Sequence, residues 1–136
     1  MTTRLQVVDM ARTALGTRFQ HQGRSLTRGV DCIGLVICVM HKLGLSDFDY
    51  TNYAKMPPAD LMTKTMREIL QVIPNDQMQP GDLLRFRVAG EPIHVGIATD
   101  VGVIHAVQSA SGVVEHRLDH AWQKRIVETY RIPGVQ

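Results

Sequence analysis

From Cys32 to Leu43 nearly every residue is apolar, with only His41 and Lys42 breaking the run near its end. A helix apolar on all sides has to be surrounded by other elements. The chain must therefore wrap this segment on several faces, and Gly44 supplies its stop. Two further helical stretches flank it. Leu5, Val8, Ala11 and Leu15 recur at helical spacing before Gly16. Leu61, Met62, Met66, Ile69 and Leu70 do the same from Ala59 to about Val72, between Pro57-Pro58 and Pro74. Thr17 to Val30 and Ser46 to Pro58 read as irregular.

The period then changes. Asp82–Val88, Pro92–Thr99, Gly102–Val107, Gly112–Arg117 and Arg125–Ile132 are short, β-rich and separated by turn residues. They read as consecutive antiparallel strands. Helices first and strands afterwards predict an α+β domain, with the sheet packed on the buried helix. At 136 residues the chain suits one domain, residues 1–136, able to bury a core without staples.

Composition excludes several functions. The formal charge is only +2 and no Lys/Arg run follows a phosphate backbone, so no nucleic acid is expected as partner. No stretch reaches the length of a membrane span, and Met1 to Gln6 lacks the apolar segment of a leader peptide. The chain is expected to be made in the cytoplasm, without membrane insertion, and carried elsewhere by other means. Cys32 and Cys38 are the only cysteines. Six helical residues separate them by about 9 Å along the axis, too far for a disulfide. No Cys-x-x-Cys zinc pattern is present, and no metal or other cofactor is implied.

The chemistry lies in Cys32, His94 and His105. A thiolate attacks carbonyl carbon, and an ordinary cysteine, with a pKa of about 8.5, is mostly thiol at neutral pH. A helix start favours the anion through its free N–H groups and partial positive charge. Cys32 falls in such a first turn, and the same amides suit an oxyanion. Cys38, mid-helix, reads as inert packing. Gly34 could admit a substrate or serve helix-to-sheet packing. If the strands of His94 and His105 meet in a hairpin through a four-residue loop, Thr99 to Gly102, then His105 stands opposite Gly96. His94 becomes its diagonal neighbour on the same face. His94 can then take the thiol proton while His105 accepts its other N–H. A metal site of Cys32, His94 and His105 is a weaker reading, because no carboxylate is placed to orient those ligands. His116 and His120 are expected in solvent. Asp82 reads as a turn cap, and Arg85 with Arg87 as one solvated face or a contact for acidic polymer.

These pieces together resemble the NlpC-type family of papain-like cell-wall peptidases. The matching segments are Leu15-Gly16-Thr17, Asp31-Cys32-Ile33-Gly34-Leu35-Val36, Pro80-Gly81-Asp82-Leu83-Leu84, His94-Val95-Gly96-Ile97 and Ile104-His105-Ala106, in family order through most of the chain. The resemblance implies a papain-like fold and a cysteine endopeptidase acting on peptidoglycan stem peptides, commonly at a D-γ-glutamyl–diaminopimelate or lysine bond. It assigns Cys32 as nucleophile, His94 as base, His105 as third polar residue and Asp31 as an acid contacting the stem amine. Ile33 stands where many members have Ser, and Phe19 where many have Tyr. His21 or Gln22 could supply polar contacts instead, Gln22 toward the oxyanion. Phe19 to Arg24 and Arg125 to Pro133 look like the tail-associated peptidases of phages and gene transfer agents. That likeness implies tail-tip or baseplate partners and a virion-borne enzyme. The competing expectations are a tail-tip plug with little activity, and a thiol amidase or acyltransferase acting on another acyl group.

Overall fold

The computed structural model describes residues 1–54 and 58–136; Pro57, expected at the lead into the third helix, lies outside the described residues. Helix α1 (Arg4–Arg12) starts at Thr3, which forms a reciprocal capping box with Gln6. A loop carrying the two-residue strands β1 (Arg24–Ser25) and β2 (Gly29–Val30) leads to α2 (Cys32–Lys42). Helix α3 (Ala59–Ile69) and the short strand β3 (Gln71–Ile73) follow. Then come β4 (Leu83–Val88), β5 (Glu91–Ala98), β6 (Val103–Val107), β7 (Gly112–His116), α4 (His120–Arg125) and β8 (Ile126–Arg131).

The α+β expectation holds. Six strands form an antiparallel sheet in the order β3-β8-β4-β5-β6-β7. Residues Gly34 to Met40 of α2 are all buried, as its all-round apolarity requires. Of these, Leu35, Val36, Cys38, Val39 and Met40 pack with Leu83, Val95, Ile97, Ile104 and Ala106 on one face of the sheet. The opposite face carries Leu84, Phe86, Ala98 and Val103, covered by Trp122 of α4 and by Leu118.

Three details depart from the sequence reading. The third helix ends at Ile69, because Leu70 turns extended (φ −124°, ψ 160°) and Val72 pairs with Tyr130 in the sheet. The last strand does not follow β7. Helix α4, capped by Asp119 accepting from the Trp122 amide, carries the chain back so that β8 inserts between β3 and β4. At six residues α4 is too short to show a helical period. Finally, Arg85 is not on a solvated face but is 2% exposed. Its guanidinium donates to Glu128 (2.9 Å), to the Tyr130 hydroxyl (2.9 Å) and to the Pro92 carbonyl (3.1 Å). Arg87 is exposed, as read. Asp82 does cap its turn, accepting from the Gln79 amide, and is also buried against Arg4 and Arg131.

Candidate active site

Cys32 is the first residue of α2, and Asp31 is its N-cap. The Asp31 carboxylate accepts from the Gly34 amide at 2.7 Å, consuming the third first-turn N–H. The amides of Cys32 and Ile33 remain, and both lie against the Cys32 sulfur together with the Val95 amide of β5. Gly34 serves neither alternative weighed for it. A Cβ there would come within 2.0 Å of the Gly23 carbonyl, so the glycine lets the preceding loop close over the helix start.

The hairpin register matches the four-residue-loop reading. Ile97 pairs with Ile104 and Ala98 with Val103, and the Thr99 amide donates to the Gly102 carbonyl at 2.9 Å. The Thr99 hydroxyl accepts from the Val101 and Gly102 amides, which stabilises this loop. Carried on, the register sets Gly96 across from His105; a Cβ on Gly96 would sit 3.1 Å from the His105 Cβ. Nε2 of His94 bonds Nδ1 of His105 at 2.7 Å. His94 therefore keeps Nδ1 for the cleft.

That cleft, about 620 Å³, opens where β5 and β6 diverge beyond their two ladder pairs. Cys32, His94, Asp31 and His21 line it, with Tyr53, Trp122 and Arg125. His105 lies beneath, fully buried. Gln22 is not in the lining. Its side-chain amide donates to the Tyr53 carbonyl (2.7 Å) and its backbone N–H to Asp31 (2.8 Å). Both groups are thus used in holding the loop, with its φ of 60°, rather than aimed at an oxyanion. Asp31 accepts four hydrogen bonds, from Gly34, Gln22, the Tyr53 hydroxyl (2.5 Å) and Arg24 (3.4 Å).

Sequence reading missed His116, Trp122, Tyr53 and Arg24. His116 is half-buried rather than free in solvent, and its Nε2 meets Nε2 of His105 at 2.7 Å. The signal was present: His94, His105 and His116 are spaced by eleven residues each. His105 thereby spends both ring nitrogens on histidines, and cannot join Cys32 and His94 around a metal ion.

Burial pushes the Cys32 thiol up to about 12, with the Asp31 charge adding to the effect and the nearby amides opposing it. Burial also lowers His94 to about 4, and lowers His105 to about 3 with help from its histidine neighbours. Taken one at a time, burial favours the neutral thiol and the neutral imidazole. Moving the proton from sulfur to His94 creates both charges together, where each offsets the other's desolvation.

A cysteine in the first turn of a helix, sharing a cleft with a histidine of an antiparallel sheet, defines a papain-like cysteine peptidase. A family model for NlpC/P60 matches residues 16–131, and the chain belongs to that family. No curated protein sequence matches it. Among solved structures it is similar to the NlpC/p60 domain of the peptidoglycan hydrolase SagA, with a TM-score of 0.67 and 23% identity over 94% of this chain and 97% of that one. It also matches an NlpC/P60 family protein of Bacillus cereus, with a TM-score of 0.70 and 18% identity over 95% of this chain and 40% of that one. A lipoprotein-like NLP/P60 family protein of Staphylococcus aureus gives a TM-score of 0.66 and 24% identity, over 95% and 41% respectively. The chain thus spans nearly all of the SagA domain but about two fifths of the other two proteins. Among the described residues no helix is long and apolar enough to cross a membrane.

Proposed function

We propose that the chain hydrolyses the peptide stems of peptidoglycan, at a D-γ-glutamyl–diaminopimelate type of bond, with Cys32 as nucleophile. The observation that carries this reading is the placement of Cys32 and His94 on one cleft with His105 bonded behind His94. Nδ1 of His94 takes the proton from sulfur as sulfur attacks the scissile carbonyl carbon. The Cys32 and Ile33 amides receive the oxyanion. His94 returns the proton to the leaving amine, and water then hydrolyses the thioester, with His94 again as base. His105 accepts the second N–H of His94 throughout.

Asp31 and His21 form the stem-binding wall. Four hydrogen bonds fill the acceptor sites of the Asp31 carboxylate. The longest, from Arg24 at 3.4 Å, is the one a stem amine displaces. Delivery by a phage tail or gene transfer agent, with tail-tip or baseplate proteins as partners, rests on the sequence likeness of Phe19 to Arg24 and Arg125 to Pro133.

Digestion of purified sacculi followed by mass spectrometry of the muropeptides tests the activity. Newly freed D-glutamate and diaminopimelate termini are expected from the wild type and none from Cys32→Ala. Equal products from both would remove Cys32 from the chemistry. Proteomics of purified particles from the producing strain tests the delivery.

A further inference from the structure

The third histidine, His116, has no place in the mechanism above, yet it closes a continuous chain of hydrogen bonds leading to the base. Nδ1 of His116 lies 2.8 Å from the Arg117 carbonyl oxygen. Its Nε2 is 2.7 Å from Nε2 of His105, and Nδ1 of His105 is 2.7 Å from Nε2 of His94. A carbonyl oxygen only accepts. Nδ1 of His116 must therefore carry the proton, and in neutral His116 Nε2 is then a bare acceptor. His105 has to donate from Nε2, which leaves its Nδ1 bare. His94 has to donate from Nε2 in turn, and its Nδ1 is left as a lone pair. Nδ1 is the nitrogen that faces the cleft.

We infer that His116 is a positioning residue: the Arg117 carbonyl, acting through His116 and His105, sets the tautomer of His94 so that its unprotonated nitrogen meets Cys32. This rests on the peptidase reading for its consequence, though not for its geometry. Two neighbouring hairpins build the relay. His105 pairs with Val114 on β7, and the register of β5 sets it across from Gly96. His116 and His94 each stand two residues from those partners, so the three rings step diagonally across one face. Trp122 seals them, its ring edge-on to His105 at 4.9 Å and tilted over His116 at 5.2 Å. His105 is fully buried, so no solvent contact competes for its ring nitrogens. In the reverse polarity, with His116 cationic, every proton shifts by one place. Nδ1 of neutral His94 would then hold a proton and could not act as base.

The test uses the full chain labelled with nitrogen-15, with His94 tautomers read from long-range proton–nitrogen correlations near neutral pH, beside kcat and KM on a muropeptide. Wild type is expected to show a proton on Nε2 and none on Nδ1 of His94. In His116→Gln the amide oxygen accepts from His105 while its N–H donates to the Arg117 carbonyl. The same tautomer and a kcat within about threefold of wild type are expected. His116→Leu removes the acceptor, and a mixed His94 tautomer with kcat lowered about tenfold and KM unchanged is expected. A wild-type proton on Nδ1 of His94 would overturn the inference. So would an unchanged tautomer in the leucine variant, or a folded glutamine variant as impaired as the leucine one. If the leucine variant does not fold, the wild-type and glutamine tautomers still decide. The tautomer readout requires no turnover, so it fails or stands separately from the peptidase reading, which Cys32→Ala tests.

Discussion

Gly96→Ala is the sharpest test of how the hairpin serves the site. A Cβ at residue 96 would lie 2.8 Å from Cγ2 of Val103, 3.1 Å from Cβ of His105 and 3.1 Å from the Ile104 carbonyl oxygen. Comfortable carbon–carbon contact needs about 3.5–4.0 Å, so the new methyl is short of room by roughly 0.5–1 Å on the side of β6. Overpacking of this kind costs about 1–3 kcal/mol, which for a domain of this size lowers Tm by roughly 3–12 °C. The larger effect is on the relay. If His105 retreats by about 0.5 Å, its bond to His94 stretches from 2.7 Å to about 3.2 Å, the outer edge of an N–H hydrogen bond. That bond becomes charge-assisted when His94 is imidazolium, and such bonds contribute about 1.5–3 kcal/mol. A kcat loss of about ten- to a hundredfold follows, with KM little changed. Muropeptide kinetics beside thermal denaturation measure both. An alanine variant with wild-type kcat and a Tm within about 1 °C would refute the reasoning, because the two strands would then not approach as closely as described.

Glu128 is held at about 2: burial alone would raise it, but hydrogen bonds from Arg67, Tyr130 and Arg85 outweigh that. Its folded pKa lies below the ordinary carboxylate value of about 4.3, so its contribution is present above that pH and is lost as pH falls toward 2; two units correspond to at most about 3 kcal/mol. Glu128→Gln should lower stability at pH 7 and flatten the acid limb between about pH 4 and 2 in denaturant titrations. A variant with the wild-type acid limb would show that the carboxylate carries none of it. Glu128→Ala additionally leaves buried Arg85 without its carboxylate, and a loss of about 3–5 kcal/mol is expected by urea unfolding. His94 and His105, lowered by burial to about 4 and about 3, bind fewer protons when folded than when unfolded. Stability from their burial is complete above about pH 6.5 and is lost as pH falls below it. For the same reason the acid limb of kcat/KM should fall near pH 4; a limb near 6.5 would mean that His94 is solvated in the free enzyme. Alkylation of Cys32 near neutrality should be no faster than that of an exposed thiol, because burial pushes the thiol up to about 12; a pronounced excess rate would indicate a preformed ion pair.

The sequence alone was enough for the features that local chemistry and short-range geometry decide. A helix apolar on every side must be central, and its start puts Cys32 in the first turn. A four-residue loop between two short strands puts His94 and His105 on one face, because side chains alternate with a period of two. Tertiary structure decided everything that depends on a distant partner. Val72 reads equally well as helix or strand until Tyr130 arrives beside it. Arg85 alternates with apolar neighbours as a surface residue would, and only the return of β8 brings Glu128 to neutralise it inside. His116 shares the eleven-residue spacing, but what makes it part of the site is Trp122, delivered by a helix too short to be read from its sequence. The ionisation of the nucleophile depends on how much water the assembled cleft admits, and that is a property of packing, which residue order does not contain.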